Sequence, residues 1–237
     1  MPRTSAQGRS TLPPSGGTER ATTSVEDYAK TIYGLSEWEG ADVTASAVAK
    51  NLGVSNPSVT LMIRKMDELG LVEYQPYAPV RLTEAGRRLA LAMVRRHRLI
   101  ETWLVRELGY GWDEVHDEAE RLEHAVSETF IERLDAKLSH PTTDPHGDPI
   151  PAADLSLQYP ETTLLCRVPE ESTVRVEQVD DSVPEALHAL AERRIAIGAE
   201  MRVISSSSGD VVLDGGEDHN VDLNHQVAHA VRVSLAA

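Results

Sequence analysis

Phenylalanine occurs once in 237 residues, cysteine once, and all aromatics together make up 4%. A packed core therefore has to be built from aliphatic side chains. The lone Cys166 excludes an intramolecular disulfide. No run of about 18 consecutive apolar residues occurs, which excludes a helix spanning a bilayer. No signal-like apolar region is evident either, and with a single thiol this points to a reducing cytoplasm. What is present is ordinary for a globular chain: 41% hydrophobic residues, at a length suited to two or three modules.

Positive charge is also scarce, with a net charge of −15, which at first argues against nucleic acid. Its distribution reverses that. Between Thr44 and Arg106 there are ten Lys/Arg against five Asp/Glu, so a basic head sits on an acidic body. Such a head can neutralise phosphates locally. Between Asp113 and Asp135 nine acidic residues face only two arginines and two histidines. Repulsion that dense calls for a solvated helix face or a bound cation.

Residues 1–22, rich in Ser, Thr, Gly and Pro, read as a disordered tail. Thr23 and Glu26 are spaced as a capping box, and Val25, Tyr28, Ile32 and Leu35 follow at helical spacing. In VTASAVAKNLGVSNPSVTLMIRKMDELGLV a short helix presents Ala45, Val48, Ala49 and Leu52 after Thr44 and stops at Gly53. Ser55 is placed to cap a second helix with Pro57 in its first turn. Val59, Ile63, Met66 and Leu69 form its inner stripe, and Gly70 ends it. Small Ala49, turn Gly53 and buried Val59 have helix-turn-helix spacing. LVEYQPYAPVRLT then reads as two short strands around a turn, a wing with Arg81 at its base. The alternative is a small helical packing module that touches no DNA.

Thr83 is placed to cap a long helix to about Leu108, with Leu89, Met93, His97, Ile100 and Leu104 as its stripe. A second long helix is expected over 113–138, with Val115, Ala119, Leu122, Val126 and Leu134 inward. Two amphipathic helices of this kind suit a helix-on-helix dimer interface. SHPTTDPHGDPIPAADLSLQYP is a Pro-rich linker. Beyond it VRVEQV alternates, a short helix is expected from Val183 to Arg193, and MRVI, DVVL and AVRV read as strands of a small β-barrel-like domain.

The chemistry-bearing residues lie on the two long helices. His97 and Glu101 are one turn apart, as are His116 and Glu120, and Glu120 and His124, with Glu123 beside them. Residues three and four apart share a helix face and can close on one ion. At the edge of an apolar stripe, uncompensated carboxylates are costly, and a cation relieves that cost. A solvated acidic face is the plain alternative for 116–124, and a satisfied core histidine is the alternative for His97.

The helix-turn-helix, RRHRLIETWL, VHDEAERLEH and DPHGDPIP together resemble the diphtheria-toxin-repressor family of iron- and manganese-dependent regulators over roughly residues 23–155, and the tail resembles that family's SH3-like third domain. The resemblance implies a mainly α fold with a small β part. A winged helix-turn-helix would occupy 23–83, a helical metal-binding and dimerisation domain 84–155, and an SH3-like β-barrel 156–237. It implies a homodimer that binds palindromic double-stranded operators when loaded with Fe²⁺ or Mn²⁺.

Carried over by position, the ancillary site falls on His97, Glu101 and His116, and the primary site on Asp27, Glu120, Glu123 and His124. Iron-type members place Met and Cys at the positions of Asp27 and Glu120. Two carboxylates there suit Mn²⁺, with Fe²⁺ the alternative. Manganese-type relatives often carry a further Glu where this chain has Lys30, so two separated sites are expected rather than a close pair. Glu185 and His188 have the spacing of third-domain ligands, with a plain surface pair as the alternative. On the recognition helix Ser55, Pro57, Ser58 and Thr60 are placed near bases, Arg64 and Lys65 near phosphates, and Leu61 replaces a family glutamine.

Two rival classes are set beside this reading. A metalloenzyme would use the same His/Glu cluster, but no H-E-x-x-H or nucleophile–base pair occurs. A winged-helix regulator of an organic effector would keep the metal as structural only.

Overall fold

The computed structural model describes residues 16–38, 42–76, 78–112, 114–215 and 220–236, with the backbone alone over 16–23. Most of the segment expected as a tail thus lies outside the described residues. The first helix, α1 (Gly16–Glu37), starts well before the capping box at Thr23 and Glu26, which falls inside it.

The helix-turn-helix forms as its punctuation dictates. Thr44 caps α2 (Ala45–Leu52) by accepting from the Ala47 amide, and Gly53 closes it in the left-handed region at φ 64°. That conformation strains any residue with a Cβ. Ser55 caps α3 (Asn56–Glu68), whose Val59, Ile63 and Met66 are buried. They pack with Val25, Ala29 and Ile32 of α1 and Val48 of α2 into one aliphatic core. β1 (Val72–Glu73) and β2 (Arg81–Leu82) pair antiparallel as the wing.

Thr83 caps α4 (Glu84–Leu108), which runs from this domain into the next. The single helix expected over 113–138 is corrected: there are two, α5 (Val115–Leu122) and α6 (Glu128–Lys137). The Ser127 hydroxyl accepts from the Phe130 amide at 3.2 Å, restarting the helix after a turn at 123–127. Glu123 and His124 therefore sit in a bend. A second core joins Leu99, Ile100 and Leu104 of α4 to Val115, Ala119, Ile131 and Leu134.

The C-terminal part is a six-stranded antiparallel sheet of order β3-β8-β4-β5-β6-β7. Its strands are β3 (Thr163–Leu164), β4 (Thr173–Val179), β5 (Glu200–Ser207), β6 (Asp210–Asp214), β7 (Asn220–Leu223) and β8 (Val231–Leu235). α7 (Pro184–Glu192) and α8 (His225–His229) join Leu187, Leu190 and Val227 to its valine-rich core. The expected small β domain is present; the short β3, β7 and α8 carry too little pattern to be legible.

This domain docks on the other two. Arg232 of β8 donates to the Trp38 carbonyl and lies 4.9 Å from the centre of its ring. Tyr159 donates to Glu37 at the end of α1 at 2.8 Å. The linker is held by the Val179 amide donating to the His146 carbonyl at 2.9 Å. No helix among the described residues is long and apolar enough to cross a membrane.

Candidate metal centre and nucleic-acid interface

Asp27 from α1 meets the α5–α6 bend. His124 Nε2 lies 2.7 Å from Asp27 Oδ1 and 3.4 Å from Glu123 Oε1. Asp27, Glu123 and His124 each offer a ligand atom within 4.8 Å of the others. Burial raises the Asp27 carboxyl against the lowering influence of His124. Glu26, read from the sequence only as a capping-box residue, lies 3.2 Å from His124 Nδ1.

Glu120 is not part of that trio. It groups instead with His97 and Glu123. Lys30 Nζ reaches into this group, 2.6 Å from Glu120 Oε1 and 2.5 Å from Glu123 Oε1. Burial opposes its charge, but Glu123 and then Glu120 raise the ammonium's pKa above its ordinary value.

His97 is buried, as its place in the apolar stripe requires, and is tied on both sides. Nδ1 lies 2.6 Å from Glu123 Oε2 and Nε2 lies 2.9 Å from Glu101 Oε1. Burial alone would push this imidazole down, yet Glu101 leads the influences that lift it to about 9. His116 Nδ1 lies 3.4 Å from Glu101 Oε1 and 3.1 Å from Asp181 Oδ2. Burial opposes its proton too, but hydrogen bonds to Asp181 and Glu101 raise it to about 11. A metal ion bound here would displace protons from these imidazoles, because only the neutral ring ligates.

From the third domain it is Asp181, rather than Glu185 or His188, that lies beside His116 and groups with His97 and Glu101. Glu185 and His188 lie exposed on α7 and join no ligand grouping among the described residues. Their spacing matched, but α7 turns that face to solvent, while Asp181 in the turn before α7 points at His116.

A further group joins the expected Glu101 to two residues that sequence reasoning left in the linker. Glu101, Asp144 and His146 are all buried and offer ligand atoms within 4.8 Å of one another. Asp144 Oδ1 accepts from the amides of His146 and Asp148 at 2.8 and 2.9 Å, which shapes the loop. Its Oδ2 is left without a hydrogen-bond partner, as are Glu101 Oε2 and His146 Nδ1. Buried polar atoms without a hydrogen bond are expensive. Among the described residues Asp144 Oδ2 has only the Arg98 guanidinium at 3.7 Å and Glu101 Oε2 only His146 Nδ1 at 4.0 Å, an arrangement that fits a divalent cation. The donors throughout are oxygen and imidazole nitrogen, a set suited to Mn²⁺ or Fe²⁺. Cys166 packs against the third-domain core instead. The signal in the sequence was DPHGDP, two aspartates and a histidine among turn residues, which reads equally as linker.

Gly147 lets this loop lie against β4. Its φ is +86°, and a Cβ there would stand 1.9 Å from the Glu177 carbonyl oxygen. Gly147→Ala is expected to destabilise the chain by about 1–3 kcal/mol. It should also weaken the rise in melting temperature that added Mn²⁺ produces. An unchanged melting temperature would remove the close contact from this account.

On the reading face, several hydroxyls are already engaged. Thr44 and Ser55 cap helices, Ser58 Oγ lies 2.8 Å from Ser55 Oγ, and Thr60 Oγ1 donates to the Asn56 carbonyl at 3.0 Å. Arg81 pairs with Asp42 at 2.9 Å across an exposed surface. Pro57, Arg64 and Lys65 are exposed. So is Leu61, at 73%, a large apolar side chain that packing within the chain does not explain.

Comparison with known proteins agrees with this architecture. Residues 20–80 match the model of the iron-dependent repressor N-terminal DNA-binding domain. Residues 83–152 match that of the iron-dependent repressor metal binding and dimerisation domain. Residues 163–235 match the FeoA domain. The iron-dependent repressor IdeR of Mycobacterium leprae is 35% identical over 221 residues, covering 88% of this chain and 95% of that protein. The diphtheria toxin repressor of Corynebacterium efficiens is 35% identical over 218 residues, covering 88% and 94%. Among solved structures, a manganese-dependent transcriptional repressor in complex with manganese superposes with a TM-score of 0.84 at 43% identity, covering 90% of this chain and 100% of that one. The manganese regulator SloR gives 0.76 at 32% identity, covering 90% and 98%. With both repressor domains matched in order and relatives aligned over nearly their whole length, the chain belongs to the diphtheria-toxin-repressor family of metal-dependent transcriptional repressors.

Proposed function

We infer that this protein is a manganese-activated repressor, with iron as the alternative activator, that binds a palindromic operator as a homodimer. One observation carries the reading: Asp27 of the DNA-reading domain and Glu123 and His124 of the scaffold converge on one point. Asp27, Glu123 and His124 would hold one ion. Glu101, Asp144 and His146, with Asp181 and His116 beside them, would hold another where the third domain meets the scaffold. A bound divalent ion supplies positive charge that carboxylates from separate domains share.

The protein's own residues do the rest. Asp27 fixes α1, α1 shares its core with α3, and so the pose of the recognition helix follows the bend at 123–124. In a dimer that pose sets whether two recognition helices match half-sites about 34 Å apart. Metal shifts the population only as far as it prefers the joined state. The reading face supports modest direct readout. Arg64 and Lys65 suit phosphates, while Pro57 and Leu61 suit thymine methyls.

The test is operator binding against Mn²⁺, Fe²⁺ and chelator. Asp27→Ala is expected to lower the metal-driven gain in DNA affinity by on the order of 5- to 150-fold, with affinity in chelator unchanged. If the variant responds to limiting Mn²⁺ as the wild type does, the switch does not run through this residue.

A further inference from the structure

His97, Glu120 and Glu123 place ligand atoms within 4.8 Å of one another, close enough to share an ion. That group already contains a cation. Lys30, on α1 one turn after Asp27, brings its ammonium to 2.6 Å from Glu120 and 2.5 Å from Glu123. Its side chain is only 15% exposed and Glu123 is fully buried, so this is not a loose surface pair. α1 thus presents the carboxylates of Glu26 and Asp27 to His124 and an ammonium to Glu120 and Glu123. A divalent ion cannot enter beside that ammonium without strong like-charge repulsion in a poorly solvated place.

We propose that Lys30 is the resident second cation of the junction, a tethered ammonium that fills the His97/Glu120/Glu123 group. It limits the junction to a single divalent ion at Asp27, Glu123 and His124. It also keeps α1 linked to α5 when no metal is present. This rests on the functional reading above and assigns Lys30 a role that reading does not need.

The experiment counts ions in the full-length chain. Mn²⁺ is titrated into metal-free wild type, Lys30→Met and Lys30→Arg by calorimetry, and the loaded samples are examined by electron paramagnetic resonance. Lys30→Met removes the charge and keeps the length of the side chain. It is expected to take up about one additional ion per subunit, to show spin coupling from a close Mn²⁺ pair, and to melt lower than wild type in chelator. Lys30→Arg is expected to keep the wild-type count. Equal counts in wild type and Lys30→Met overturn the proposal, and so does spin coupling in the wild type itself, which needs no variant to fold. Failure of the functional reading would look different: Asp27→Ala would bind as many ions as wild type, whatever Lys30→Met gains.

Discussion

Glu123→Ala is expected to abolish the metal response of DNA binding and, in chelator, to destabilise the chain by about 3–5 kcal/mol. Glu123 is fully buried and stands at the centre of the junction. One carboxylate oxygen accepts from Lys30 at 2.5 Å and lies 3.4 Å from His124, and the other lies 2.6 Å from His97. Alanine removes the anion and leaves a buried ammonium and an imidazole otherwise held at about 9 without that partner. Removing one member of a buried ion pair costs more than the pair is worth, because the remaining charge stays in a poor solvent. Glu123→Gln separates the two effects. It preserves volume and some hydrogen bonding, so most stability should return on urea denaturation, whereas the missing charge should still prevent the rise in operator affinity with Mn²⁺. A Gln variant that responds to Mn²⁺ like wild type would remove Glu123 from the switch.

The second large effect belongs to Arg98. Its guanidinium lies 2.8 Å from Glu37 Oε2, donates to the Pro149 carbonyl at 2.8 Å, and comes within 3.7 Å of Asp144 Oδ2 and Asp148 Oδ2. It joins the end of α1, the middle of α4 and the linker that carries Asp144 and His146. Arg98→Met leaves two buried carboxylates, Asp144 and Asp148, and the half-buried Glu37 without their cation, and a loss of about 3–5 kcal/mol is expected. Arg98→Lys should restore only part of it, since one ammonium cannot reach partners arranged around a planar fork. Burial holds Asp148 up to about 6 even with Arg98 present. A raised carboxylate favours its protonated form in the fold, so the deficit should deepen as pH rises above the ordinary carboxylate range. Urea denaturation from mildly acidic to neutral pH measures this. A loss below about 1 kcal/mol would place Arg98 with the surface ion pairs.

Where information is local, the sequence was readable. Gly53, Ser55 and Gly70 punctuate the helix-turn-helix within a few residues of where each acts, and their backbone conformations follow from their own chemistry. His97 could be picked out because a polar residue interrupts an apolar stripe, and burial confirms the place. The bend at 123–127 was hidden because VHDEAERLEHAVSETF keeps a helical pattern across it, with nothing local to mark Ser127 as a cap. Lys30 registered only as a departure from a family pattern. Its function as a partner for Glu120 and Glu123, some ninety residues on, depends on how α1 crosses α5. Glu185 and His188 show the opposite case: ligand-like spacing on an exposed face of α7, apart from every ligand grouping among the described residues. Asp144, His146 and Asp181 lie in turns, where no periodicity reports which way a side chain points.

From the sequence alone came the order of modules and the donor types available for metal, which follow from short-range pattern and side-chain chemistry, and the class of the protein, which came from the resemblance of its motifs to a family. None of these needs the chain to be closed. Only the tertiary structure decided which donors share a point in space: Asp27 with Glu123 and His124, Glu101 with the linker's Asp144 and His146, and Lys30 lodged where a second ion would sit. The physical reason is that coordination and charge compensation act over a few ångströms between residues far apart in sequence. Those distances are set by the packing of three cores against one another, which no local pattern encodes.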